Sequence, residues 1–119
     1  VEGKVLLACQ DEGCLKNLYE MLDNRRLTIH SVPDDADLLL KLLDDHYDAL
    51  IYDLDFSTLD SLKMVKILRK LRPKVSLVVI SNDASKELGG RILQEGVVYF
   101  GIKPVYSETV INVLSGVLS

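Results

Sequence analysis

The sequence predicts an α/β fold, a single doubly wound five-stranded parallel sheet with five helices. Two observations carry this. The hydrophobic period switches again and again between short apolar runs and stretches of helical period. Three of the runs also end in a polar residue: Asp53 after Ala49-Leu50-Ile51-Tyr52, Ser81 after Leu77-Val78-Val79-Ile80, and Lys103 after Tyr99-Phe100-Gly101-Ile102. In an open parallel sheet the carboxyl ends of the strands share one edge, where ligands bind at the reversal of strand order.

Taken in order, Lys4 to Ala8 is a short apolar strand, and Glu12 to Asp23 is helical with Leu15, Leu18 and Leu22 on one face. Asn24-Arg25-Arg26 turns the chain into a second strand, Leu27 to Val32. Pro33-Asp34-Asp35 then opens a helix, with proline and acids where the helix dipole favours them, and Leu38 to Leu43 carries its apolar face. The third strand ends at Asp53, and a polar loop leads to a helix from about Leu59 to Leu71, which stops before Pro73. Val75 to Ser81 is the fourth strand. A weaker helix from Ala84 to Gln94, containing Gly89-Gly90, precedes a fifth strand at Val97 to Ile102, and Ser107 or Glu108 opens a last helix rich in Val, Ile and Leu. Strands alternating with helices imply parallel pairing with both sheet faces covered.

A length of 119 residues with 48% hydrophobic residues supports one core, and residues 1–119 read as one domain. No apolar run approaches the length of a membrane span. The chain opens at Val1 without a methionine or a targeting pattern, so it reads as a processed or excised piece of cytoplasmic protein. A net charge of −4 argues against a grip on a nucleic-acid backbone. The two cysteines, Cys9 and Cys14, have no metal-type pairing with histidine, which points to a reducing compartment. Cys9 reads as a small buried hydrophobe and Cys14 as packing; His30 and His46 read as structural. The run Lys63, Lys66, Arg69, Lys70, Arg72 and Lys74 reads as the solvated face and exit of the third helix.

A carboxylate, a hydroxyl and an ammonium converging on one edge suit the holding of a phosphoryl group. The carboxylate can act as nucleophile, and the other two can offset charge on phosphoryl oxygens. A flavin or nucleotide carrier fits less well, because Ala8 to Gly13 lacks a Ser/Thr/Gly-rich phosphate cradle.

On these residues the whole chain resembles the receiver domain of bacterial response regulators. The resemblance makes Asp53 the phosphoacceptor and Ser81, Lys103 and Phe100 the phosphate-binding and switch residues, and it implies the flavodoxin-like strand order 2-1-3-4-5. The loop Asp53-Leu54-Asp55-Phe56-Ser57-Thr58-Leu59-Asp60-Ser61 follows the family's D-x-x-x-P-x-x-D-G pattern with Pro and Gly both replaced by Ser, while Lys103-Pro104 and Gly96 match directly. The family often has a cis bond at that Lys-Pro. The implied partners are a histidine kinase or phosphotransfer protein, and an effector domain or second copy docking through the fourth helix, fifth strand and fifth helix. The implied catalysis is at most self-phosphorylation and autodephosphorylation.

The chain departs from the family at the end of the first strand. There the family carries two adjacent acids that bind Mg²⁺ with the acceptor aspartate, and this chain has Cys9-Gln10. A thiol is a poor ligand for a hard cation that demands an oxygen octahedron, so Mg²⁺ affinity should fall. The remaining candidate donors are Gln10, the Asp55 backbone carbonyl and Asp11, with the Asp55 and Asp83 carboxylates as replacements at the rim. Asn82, after Ser81, is larger than the family's usual residue there. Two readings follow: a phosphorelay receiver, or a degenerate receiver acting as a phosphorylation-independent interaction module.

Overall fold

Alternating apolar side chains along each strand divide the core into two layers, one on each face of the sheet. The structure is a computed structural model that describes residues 2–9, 12–23, 26–56, 60–83, 85–104 and 107–118, with the side chains of residues 2 and 107 set aside. In chain order the elements are β1 (Glu2–Ala8), α1 (Glu12–Asp23), β2 (Arg26–Ser31), α2 (Asp35–Asp44), β3 (Ala49–Asp53), α3 (Ser61–Leu71), β4 (Ser76–Ser81), α4 (Lys86–Gln94), β5 (Tyr99–Ile102) and α5 (Ser107–Val117). The strands form one sheet in the order β2-β1-β3-β4-β5, and every pairing is parallel. This is the order and class the sequence led us to expect.

Val5, Leu7, Ala49, Ile51, Val78 and Ile80 face α1 and α5, whose Leu18, Leu22, Val110 and Leu114 complete that layer. Leu6, Ala8, Leu50, Tyr52, Leu77 and Val79 face the other way, onto Leu38 and Leu42 of α2, Met64, Val65 and Leu68 of α3, and Ile92 of α4. All five residues of β3 are buried, because this strand is covered on both faces and flanked by β1 and β4. Each such Leu or Ile stabilises the fold by about 1.5–3 kcal/mol relative to exposure.

Side-chain caps fix three helix starts. Asp34 accepts from the Asp37 N–H at 2.8 Å, Asp60 from Lys63 at 3.1 Å and Ser85 from Leu88 at 3.3 Å. The caps at Asp60 and Ser85 shorten two helices relative to the sequence reading: α3 begins at Ser61 rather than near Leu59, and α4 at Lys86 rather than Ala84. Helix α4 then runs unbroken through Gly89-Gly90. After it, Gly96 has φ +85°, the left-handed conformation glycine tolerates best. Strand β5 starts at Tyr99, two residues later than expected.

The basic run is not all solvated. Arg69 donates to the carbonyls of Val75 at 2.9 Å and Pro73 at 3.1 Å, and Arg72 to that of Leu43 at 3.2 Å, so these guanidiniums fasten the α3 exit to its neighbours. His30 is structural as expected, its Nδ1 lying 2.8 Å from the hydroxyl of buried Tyr47.

Candidate functional site

Because β1 lies between β2 and β3, the chain leaves β1 toward one sheet edge and returns to the other side, and a crevice opens at the carboxyl ends of β1 and β3. Asp53 closes β3 at the floor of this crevice with no exposed surface, and Ser81 closes β4 at 1% exposure. Lys103 follows β5, its backbone N–H donating to the Ser81 carbonyl at 2.8 Å. Thus the three residues singled out in the sequence share one crevice. The peptide bond between Lys103 and Pro104 is cis.

Lys103 Nζ donates to Asp53 Oδ2 at 2.6 Å and to Asp55 Oδ2 at 3.4 Å, forming one ion pair inside the crevice and another at its rim. The second carboxylate oxygen of Asp53, Oδ1, accepts the Asp55 backbone N–H at 2.9 Å. Burial works against the Lys103 ammonium, but the hydrogen bond and charge of Asp53 outweigh it and hold its pKa above the usual lysine value. The pocket therefore carries its own counter-ion.

Cys9 is 8% exposed, as a small buried residue should be, yet its Sγ stands 3.6 Å from Asp53 Oδ2. A hydrogen bond with Cys14, burial and the Asp53 charge push this thiol well above the usual thiol range, so it is a neutral S–H. Gln10 and Asp11 lie outside the described residues. Of the two carboxylates expected as replacements, Asp55 does reach the rim, but it is engaged by Lys103 and by Asn82, whose Nδ2 donates to Oδ2 at 3.0 Å. Asp83 does not serve: its Oδ1 accepts from the Ser85 N–H at 2.7 Å in the turn before α4. Its own N–H donates to Ser81 Oγ at 2.9 Å. Among the described residues no group of three or more His, Cys, Asp or Glu side chains could hold a metal ion. The described donors do not fit Mg²⁺: a neutral thiol takes an acid's place, and the two nearby carboxylates are already engaged by one ammonium.

The Asp55–Asn82 clasp was missed as such in the sequence. Its only sign was that Asn82 is a larger, amide-bearing residue where a small one is usual.

Phe100 is half-buried on β5, and its ring packs on α4 at Gly89, where an added Cβ would stand 3.3 Å from ring carbons Cδ2 and Cε2. At Gly90 an added Cβ would meet nothing within 4 Å. Gly90→Ala should therefore stabilise the protein by up to about 1 kcal/mol through helix propensity. Gly89→Ala should lose most of that gain and shift the Phe100 ring resonances. Thermal melts paired with aromatic NMR spectra check both; equal stabilisation with unmoved Phe100 signals would show that the contact is slack.

A groove of about 650 Å³ lies away from this site, at the amino ends of the strands between residues 43–48 and 71–76. No helix of the described residues is long and apolar enough to cross a membrane.

Comparison with known proteins places this geometry. The family model of the response regulator receiver domain matches residues 5–115. No curated protein matches the chain. Among solved structures, the chain is similar to the signal receiver domain of an HD domain-containing protein from Pseudomonas fluorescens Pf-5, with a TM-score of 0.89 at 19% identity over 99% of this chain and 95% of that one. It is similar to the chemotaxis response regulator CheY4 of Vibrio cholerae, with a TM-score of 0.85 at 19% identity over 99% of this chain and 100% of that one. A response regulator protein from Burkholderia pseudomallei, crystallised with a phosphorylated aspartic acid, calcium ion and citrate, has a TM-score of 0.82 at 18% identity. That match covers 93% of this chain, which spans only 65% of the Burkholderia chain. The structural matches show a shared fold, and the family model shows kinship over nearly the whole sequence: the chain belongs to the receiver domains of response regulators, the input modules of two-component signalling.

Proposed function

We propose that this receiver signals as a phosphorylation-independent interaction module: a single cytoplasmic domain, residues 1–119, whose aspartate pocket is held shut from within. One observation carries the reading. The buried Asp53 carboxylate is neutralised by Lys103 at 2.6 Å and faced by the Cys9 thiol at 3.6 Å, where a metal-binding acid would be needed. Phosphoryl transfer to a carboxylate depends on charge neutralisation of the transferring group. With Lys103 committed to Asp53 and no hard cation accommodated, the carboxylate is a weak nucleophile. The partner surface is then the region of α4, β5 and α5, in which Leu93, Ile102 and Val117 are exposed, with Val98 exposed just before β5. Its partner is an effector domain, a kinase or a second copy.

The convergence of Asp53, Ser81 and Lys103 in one crevice favours a second reading. Here Asp53 accepts a phosphoryl group from a histidine kinase or phosphotransfer protein. Its carboxylate oxygen attacks phosphorus as the P–N bond to the donor histidine breaks and the imidazole leaves, Lys103 holds a phosphoryl oxygen, and the Ser81 hydroxyl donates to another while its Oγ still accepts the Asp83 N–H. Phe100 then repacks against α4.

Two-dimensional amide NMR spectra separate the readings, taken with Mg²⁺ alone and then with the phosphoryl mimic beryllofluoride, for this chain and its Asp53→Asn variant. The module reading expects an unchanged spectrum at millimolar Mg²⁺ with beryllofluoride. Shifts at Asp53, Ser81, Phe100 and Lys103 that vanish in the variant would replace it with the phosphoacceptor reading.

A further inference from the structure

We propose that the outer face of α2 and α3 is a self-association surface, on which a second copy of this chain docks about a two-fold axis parallel to the two helices. Leu43 and Leu40 of α2 are the most exposed large apolar side chains among the described residues, at 55% and 54%, and Ile67 of α3 is 45% exposed. Single exposed leucines are ordinary, whereas a contiguous patch marks a contact. Leu43 and half-buried Leu71 line one groove, and Arg72 at the α3 exit donates to the Leu43 carbonyl at 3.2 Å, so the carboxyl ends of the two helices lie side by side. Leu40 stands one turn back from Leu43, and Ile67 one turn back from Leu71. The four form an apolar strip between the helices.

Charge is divided across this strip. On α2, Asp37 and Asp44 lie on the side toward the end of β2, where they line a second groove with Val32 and Pro33, and Lys41 is the one cation among that groove's side chains. On α3, Lys66 reaches away from α2 to Glu95 beyond α4, at 3.7 Å. At 100° per residue, exposed Lys63 and Lys70 fall between Lys66 and Ile67 on the helix surface. Carboxylates thus border one side of the strip and ammoniums the other.

This division selects both the occupant and its orientation. Both helices connect strands of one parallel sheet, so they run in the same direction. A copy turned by 180° about an axis lying between the helices, along their length, sets its α2 over α3 and its α3 over α2. Each acidic border then meets a basic one, twice over, and the apolar strips face each other. An axis across the helices would set acid on acid, a juxtaposition that like charges suppress. A two-fold contact is closed, so association stops at two copies. Helices of 10 and 11 residues offer a small footprint, and the net charge of −4 opposes the approach. The dimer is therefore weak, with a dissociation constant on the order of 100 μM. It leaves β5 and α5 uncovered, so a pair would present that region to partners twice.

The test is sedimentation of the chain from about 10 μM to about 1 mM, a range that brackets this dissociation constant. We expect the average mass to rise with concentration and level off at twice that of the chain. On dilution the amide resonances of Leu40, Leu43 and Ile67 should move together while those of Leu93 and Ile102 stay. Leu43→Ser should weaken association about tenfold or more by removing an apolar contact. A chain carrying Asp37→Lys and Asp44→Lys should be monomeric, as should one carrying Lys63→Glu and Lys70→Glu, because in each the two borders of the face have the same sign. An equimolar mixture of these two variants should dimerise, since an all-basic face then meets an all-acidic one. Amide spectra of each variant establish that it is folded. A parent that stays monomeric to 1 mM, a mass that climbs past two copies, association that survives both charge reversals, a mixture no heavier than its parts, or dilution shifts centred on Leu93 and Ile102 would each overturn the proposal.

Discussion

Lys103→Ala is expected to lower the unfolding free energy by about 3–5 kcal/mol, the usual effect of removing one partner from a buried ion pair. Asp53 is fully buried and the Lys103 side chain is 9% exposed, so solvent cannot replace the lost ammonium. The Asp55 N–H would still donate to the carboxylate, and the Cys9 thiol at 3.6 Å is a weak donor, but neither carries a compensating charge. The double variant Asp53→Asn, Lys103→Met should recover much of the loss, because no orphan charge remains. Urea titrations of the parent, both single variants and the double variant measure the coupling directly. Additive losses would mean that the two groups do not interact in solution. The pair also sets a pH window. Lys103 has a folded-state pKa raised above its ordinary value of 10.5. Its stabilising contribution is therefore complete below that value and disappears as pH climbs through the higher folded-state value. Alkaline unfolding of the parent should show this loss above about pH 10.5, and that of the double variant should not.

Cys9→Asp should reverse the relation of this domain to Mg²⁺. It places a second carboxylate beside buried Asp53, and like charges in a shared low-dielectric site repel. Without metal we expect a loss of roughly 2–3 kcal/mol, the scale of burying an imperfectly compensated polar group. With Mg²⁺ at a hundred times its dissociation constant, binding to the folded state alone would restore about 2.7 kcal/mol. The parent chain should melt at the same temperature with or without Mg²⁺. Thermal melts in Mg²⁺ and in chelator test both statements. A parent Tm that rises with Mg²⁺ as much as the variant's would show that the native donors bind the metal, and the closed-pocket reading would fall.

Much of this was readable from the chain because it depends on local pattern. Asp53, Ser81 and Lys103 could be placed together because each ends an apolar run, and parallel strands bring such ends to one edge. Element starts were less legible where a cap decided them: Asp60 and Ser85 look like loop residues until their side chains are seen to accept the Lys63 and Leu88 amides. Side-chain direction was the other obstacle. Asp55 and Asp83 stand alike, each two residues beyond a strand end, yet one turns to the rim and the other to its own turn. Arg69 and Arg72 looked like their solvated neighbours, since nothing in the sequence marks which guanidinium finds a carbonyl.

The placement of Asp53 on a fully buried central strand has a consequence for time scale. Backbone amides of β1, β3 and β4 are paired on both sides and can exchange with solvent only when the sheet itself opens, the rarest of motions in such a domain. The Asp55–Asn82 hydrogen bond, between exposed side chains, breaks and reforms many orders of magnitude faster. The floor and the rim of this crevice therefore keep different clocks, and a partner that reads the rim can sample it without waiting on the floor.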